Sequence, residues 1–269
     1  GLMYLKNILK IIESKISRSQ IIGYGILIIL VILFVYNADF ERLQDKMFKT
    51  SLIVEQFPLI VTQAARNTLI FTFLGFSGGI ILGLIIALMR LSNLTLYRWL
   101  AIVYIDMLRG LPALLVLIFI AFGLPIALGI RIPGTYTRGS LALAIVSSAY
   151  IAEVLRAGIQ AIPRGQEEAA KALGMKKFDV MQKVIFPQAF RIVLPPLTNE
   201  LVLLLKDTAL ISVIGVTPET KELTRFGRDG VNWSANATPL VVAGFVYLAI
   251  TIPMTRVANW LENKMRTPK

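Results

Sequence analysis

Residues 167–187 read EEAAKALGMKKFDVMQKVIFP, a charged, alanine-rich run in a chain that is otherwise mostly apolar. Two glutamates open it, strong helix formers follow, and Gly174 interrupts it. Glu167 and Glu168 suit the first turn of a helix, where the macrodipole favours negative charge. Gly174 suits the position just past a helix end. Beyond it, 177–186 puts Phe178, Met181 and Ile185 on one face, and Pro187 is expected to stop that second helix. The stretch is therefore expected to form two short helices joined at a glycine bend and lying along a membrane surface. Small Ala169 and Ala170 serve equally to pack on the protein's own bundle or to offer a flat knob to another protein's groove.

The surroundings explain the word membrane. The chain is 56% hydrophobic over 269 residues, more apolar than a soluble domain usually is. The excess is gathered in long runs, and a spanning helix needs ~20 apolar residues. Six candidates appear: 21–36, 68–89, 99–128, 139–156, 192–213 and 237–255. The N-terminal stretch lacks the small-residue cleavage site of a secretory signal, so its apolar run is expected to be a retained span.

Charge orients these spans, because Lys and Arg accumulate in cytoplasmic segments. Segments 1–20, 90–98, 158–191 and 256–269 carry +3, +2, +3 and +3, whereas 37–67, 129–138 and 215–236 carry 0, +2 and 0. The asymmetry predicts an all-α membrane protein of six helices with both termini cytoplasmic. It also accounts for most of the net charge of +12 without nucleic acid, for which no basic block with interleaved aromatics is present. The segment 158–191 becomes the longest cytoplasmic loop between spans.

Several chemistries are excluded by composition. The chain has no Cys and no His, which removes disulfides, Cys/His metal sites and His-dependent triads. No Gly-Lys dipeptide occurs, so there is no P-loop. Gly75-Phe76-Ser77-Gly78-Gly79 matches GxSxG, but it lies inside an uncharged span and has no base. Gly75, Gly79 and Gly83, spaced by four, read better as a small-residue stripe for close helix packing.

Ionisable residues inside spans face a cavity or a partner. Asp106/Arg109 and Glu153/Arg156 are both spaced i, i+3 and are expected to pair on one helix face. Glu153 is also open to meeting a substrate ammonium. Asn199, Glu200, Lys206 and Asp207 interrupt the fifth candidate span. That span is the least lipid-like, so its charges are expected either to line a substrate pathway or to form inter-helix salt bridges. Lys206 and Asp207 are adjacent and point about 100° apart, so they cannot share one spot.

Glu168-Ala169-Ala170, Gly174 six residues after that Glu, and Pro187 resemble the EAA loop of the permeases of ABC importers, with Val184 and Phe186 standing where that pattern has Ile and Leu. Three further stretches resemble the polar amino-acid branch of the family: IDMLRGLPALL (105–115), AYIAEVLRAGIQAIPRGQEEAAKALG (149–174) and LPPLTNELVLLLKDTALISVIGV (194–216). The resemblance covers about 66–265. It divides the chain into 1–65, with an added N-terminal helix, and 66–269, a five-helix importer core carrying the coupling loop 158–191.

The resemblance implies a non-catalytic permease that moves polar amino acids. It pairs with a second permease chain, identical or related, and docks two ATPase subunits that hold ATP and Mg. An extracytoplasmic binding protein delivers the amino acid, and this chain binds no cofactor of its own. Gly165, Glu167, Glu168, Ala169, Ala170, Lys171 and Gly174 would then form the ATPase-coupling helix. The substrate pathway would draw on Glu153, Asn199, Glu200, Lys206 and Asp207, in a bacterial-type inner membrane. The alternative left open is a solitary ion-coupled carrier or channel, which has no need of such a loop.

Overall fold

The computed structural model describes residues 18–265. The expected basic N-terminal tail before Arg18 and the last four residues lie outside the described residues. Every regular element among the described residues is helical. Contacts divide the chain into two compact units, Gly1–Lys49 and Thr50–Lys269.

The first unit holds α1 (Arg18–Asn37) and α2 (Phe40–Met47). The sequence of α1 is apolar on all sides after its first turn, the pattern of a helix that lipid surrounds. In α2, Asp39 caps the start by accepting from the Arg42 N–H at 2.9 Å, which satisfies one of the donors a helix start leaves free.

The second unit opens with a continuous helical run: α3 (Thr50–Leu59), a π turn (Ile60–Ala65) and α4 (Arg66–Leu91). Pro58 lies inside α3 and has no N–H to give. The wider π turn follows it directly, and the Thr62 hydroxyl donates to the Pro58 carbonyl at 2.6 Å. The axis of the unit is α4 against α8 (Thr135–Gln160). The glycine stripe makes this approach possible. A Cβ on Gly75 would stand 3.0 Å from Leu143 Cβ, and one on Gly79 would stand 2.2 Å from the Ser147 hydroxyl. One on Gly83 would stand 2.8 Å from an Ile151 methyl. Beneath this seam lies a core of Phe71, Leu117, Leu143, Leu204 and Ile211.

The third expected span is not one helix. It breaks into α5 (Thr95–Gly110) and a second arm made of α6 (Ala113–Ile118), a π turn (Phe119–Gly123) and α7 (Leu124–Leu128), bent by 110°. The break is local chemistry. Pro112 pushes the residue before it out of the helical region, and Leu111 is extended with ψ 146.

The remaining helices are α9 (Arg164–Ala172), α10 (Lys177–Val180), α11 (Phe186–Asp207), α12 (Leu223–Ser234) and α13 (Thr238–Met265). A π turn (Met181–Ile185) joins α10 to α11, and a 3-10 turn (Thr208–Val213) ends α11. Pro187 therefore does not stop a helix. It stands in the first turn of α11, where its missing N–H is tolerated, and the π turn ahead of it relaxes the ladder. Among the described residues, three helices are long and apolar enough to cross a membrane: the one closing at Leu91, α8 and α13. The bent α5–α7 pair makes a fourth if it counts as one span. The part of α1 from Ile22 is shorter, and α11 carries four charged residues, Arg191, Glu200, Lys206 and Asp207.

Candidate functional site

The polar loop between α8 and α11 is built as a mounted, rigid element. Pro163 leads into α9, Glu167 stands in the first turn, and Lys171 pairs with it at 2.6 Å across one helical turn. The Lys171 ammonium holds the Glu167 carboxyl below its usual range. After Leu173 the chain turns through Gly174 at φ +79. The Gly174 N–H donates to Lys171 O at 2.9 Å and the Met175 N–H donates to Ala170 O at 3.2 Å, the paired bonds of a Schellman cap. A left-handed residue here is why glycine stands at this place.

Ala170 is the foot of the helix. It is buried in a small cluster with Ile162, Val180, Ile185 and Ala189. Ala169, Glu168 and Gly165 face outward. Leu173 is 84% exposed and Phe178 is 76% exposed. The expected face of Phe178, Met181 and Ile185 is only partly right: Ile185 is buried, but Phe178 and Met181 are exposed, and Val180 and Ala189 share the inner side instead. The π turn at Met181–Ile185 is the reason, because its longer repeat shifts which residues look inward.

The membrane charges are not gathered into one site. Glu153 is held by the Arg156 guanidinium at 2.7 and 3.0 Å and lies 3.5 Å from Arg90 Nε. The expected Glu153/Arg156 pair is thus formed and extended to α4. Asp106 and Arg109 do not pair among the described residues. Asp106 is exposed, and Arg109 sits 5.6 Å from the centre of the Tyr150 ring. Lys206 borders a groove of about 660 Å³ whose wall includes Ala209, Gly244, Phe245, Tyr247 and Leu248. Asn199 borders a different, more polar hollow of about 530 Å³ with Arg191, Pro195 and Glu262. Glu200 and Asp207 are half-buried on α11.

Sequence reasoning did not single out Glu222 or Arg90. Glu222 is fully buried at the start of α12, where it accepts from the Thr224 and Arg225 N–H groups at 2.6 and 2.7 Å. Burial pushes its carboxyl up to about 7, against the pull of those N–H bonds. A glutamate is not among the favoured capping residues, so no local signal marked it. Arg90 meets Glu153 across 63 positions of chain, which no spacing rule reaches.

The family model for the binding-protein-dependent transport system inner membrane component matches residues 79–267. The chain is 35% identical to the glutamine transport system permease protein GlnP of Escherichia coli over 221 residues, 81% of this chain and 98% of that one. It is 35% identical to the arginine transport system permease protein ArtQ of Bacillus subtilis over 189 residues, 70% and 84% of the two chains. A crystal structure of an amino acid ABC transporter with histidines is similar at TM-score 0.71 and 38% identity, covering 79% of this chain and 96% of that one. The MetNI methionine ABC transporter in inward-facing conformations, at TM-score 0.66 and 20% identity over 79% and 99% of the chains, shares the fold. An apolar multi-helix bundle, an EAA-type loop mounted on it and these likenesses together place the chain in the binding-protein-dependent transport system inner membrane component family, as the non-catalytic, multi-pass inner-membrane permease of an ABC importer.

Proposed function

We propose that this permease moves polar amino acids inward and that α9 is the element through which a partner ATPase drives it. The observation that carries this is the build of the loop. A capped helix is anchored by Ala170 and leaves Gly165, Glu168, Ala169 and Leu173 uncovered. A rigid capped helix whose outer face is left uncovered is suited to receive a partner's groove. The relatives named for glutamine and arginine transport support the substrate class.

In this reading both termini and α9 face the cytoplasm, and the helices make six spans, with the bent α5–α7 pair as one and α11 as another. The charge asymmetry of the connecting segments supports it. Two permease chains pair over two ATPase subunits, which bind ATP and Mg, and a binding protein meets the segment 215–236 from outside. The substrate pathway runs past Lys206 and the half-buried carboxyls of Glu200 and Asp207, with Asn199 nearer the cytoplasmic end. Charges of both signs along one helix suit an amino acid's ammonium and carboxylate. Glu153 is assigned instead to bracing α4 against α8, since two guanidinium groups already occupy it.

The test is co-purification of the permease with its ATPase, wild type against Leu173→Asp with Glu168→Arg, followed by substrate-stimulated ATP hydrolysis in proteoliposomes. The double variant is expected to fold, as both side chains are exposed, and to lose the ATPase and its stimulation. An ATPase retained at wild-type level by this variant would sink the assignment of α9.

A further inference from the structure

Glu222 sits where four elements meet. Its carboxylate accepts from two backbone N–H groups at the start of α12 and from the Tyr247 hydroxyl of α13 at 3.1 Å. Tyr247 in turn lies 3.2 Å from the Thr224 hydroxyl and 3.4 Å from the Thr208 hydroxyl in the turn after α11. The neighbouring Leu223 N–H donates to the Thr68 hydroxyl of α4 at 3.1 Å. Asn67 of α4 donates to Glu219 O and Lys221 O at 2.8 and 2.9 Å and accepts from the Tyr136 hydroxyl of α8 at 2.6 Å. The connection before α12 is thus stitched to α4, α8, α13 and the end of α11.

No cation is bonded to this carboxylate among the described residues. Lys221 and Arg225 are nearest in sequence, and both turn to Asp229, at 2.8 and 2.9 Å. The Arg225 and Arg228 guanidinium groups donate to Ser212 O. From α13 the titratable group bonded to it is Tyr247, while the neutral Thr68 of α4 and Thr208 in the turn after α11 bond its neighbours, the Leu223 N–H and the Tyr247 hydroxyl. A buried carboxylate with three hydrogen bonds and no counter-charge is held in its site at a desolvation penalty. Water would relieve that penalty.

Tyr247 is also a wall residue of the groove that Lys206 borders, so Glu222 touches the back of a residue whose front faces the proposed pathway. We propose that Glu222 is a positioning residue of the transport pathway: a buried latch that ties the connection before α12 to Tyr247, and that loosens when its carboxyl ionises. This rests on the pathway reading above. The sign follows from linkage. A carboxyl that holds its proton more tightly when buried than when hydrated stabilises the closed latch at low pH and releases it as pH rises through neutrality.

The chain contains no cysteine, so a single Ser212→Cys, near-isosteric at a buried position whose carbonyl accepts from Arg225 and Arg228 of α12, reports latch opening through thiol-labelling rate in the assembled transporter. Rates are read between pH 5.5 and 8.5 and divided by those of the same reporter in a Glu222→Gln background, which removes the pH dependence of the thiol itself. The ratio is expected to rise roughly tenfold or more across the range, since one pH unit of proton linkage is a factor of ten. Tyr247→Phe, which deletes the bond that ties the latch, is expected to raise the labelling rate already at pH 5.5. ATP-driven uptake measured against external pH should carry an inflection that Glu222→Gln abolishes. A flat labelling ratio overturns the latch. A pH-dependent ratio together with an uptake profile that Glu222→Gln leaves unaltered overturns its role in transport. Because labelling needs no transport, failure of the pathway reading alone would leave the labelling result standing.

Discussion

At the scale of single residues, glycine decides how close the two central helices come. The point on Gly79 where a Cβ would stand is 2.2 Å from the Ser147 hydroxyl, inside any tolerable contact. Gly79→Val is therefore expected to force α4 from α8 and to destabilise the protein by about 1–3 kcal/mol, the usual range for overpacking. Gly165, inside α9 with nothing within 4 Å of its Cβ position, is the control: Gly165→Ala is expected to cost no stability and to add up to about 1 kcal/mol. The check is a pair of thermal melts in detergent. Equal loss at both positions would mean that the stripe is not what sets the approach. The spacing of Gly75, Gly79 and Gly83 was legible in the sequence. That Ser147 and Ile151 are what they touch was not, since those partners lie in another helix.

At the scale of elements, proline has two different effects in this chain. Before Pro112 the backbone turns extended and the helix breaks by 110°. Pro58 and Pro187 sit within helical runs, each beside a π turn. From sequence, a stop is expected only at Pro187 and the third span is carried through Pro112, although the ring removes a donor and crowds the preceding turn at each. Whether the chain breaks or widens depends on what the neighbouring segments pack against. The loop helix α9 illustrates the same dependence. Its cap and charge pattern are local and readable, but its mounting is not. Ala170→Glu is expected to place an unpaired carboxylate among Ile162, Val180 and Ile185, at a penalty of several kcal/mol if the carboxylate stayed in place. The helix is expected to detach, giving faster protease cleavage in 164–186 with an intact bundle. Cleavage at the wild-type rate would show that Ala170 is not the anchor.

At the scale of the whole molecule, the arrangement predicts opposite ends for two features. The loop helix α9 leaves the end of α8 that follows Glu153, whereas Asn67, Tyr136 and the connection before α12 join at the opposite end of α4 and α8. In sealed, oriented vesicles, Leu173→Cys and Trp233→Cys should label from opposite sides with a membrane-impermeant thiol reagent, Leu173 from the cytoplasmic side. Labelling of both from one side would overturn the six-span topology. In the proposed coupling, a push at α9 would reach the far end through α4 and α8. The Gly75–Gly83 seam and the Arg90–Glu153–Arg156 cluster join α4 to α8 as one body, and packed helices move as units rather than deforming.

The sequence by itself determined the class of this protein and the local build of its polar loop. Apolar run lengths, the charge of the connecting segments and the capped loop at 164–174 are local patterns, and local patterns obey periodicity, capping and transfer energetics that require no knowledge of neighbours. The tertiary structure alone decided which charges meet. Asp106 and Arg109, correctly spaced, do not pair, and Arg109 turns to Tyr150. Glu153 gained Arg90 from another helix, and Glu222 gained Tyr247. The physical reason is that a buried charge is settled by whichever partner the packing brings within hydrogen-bond reach, and packing is a property of the whole chain.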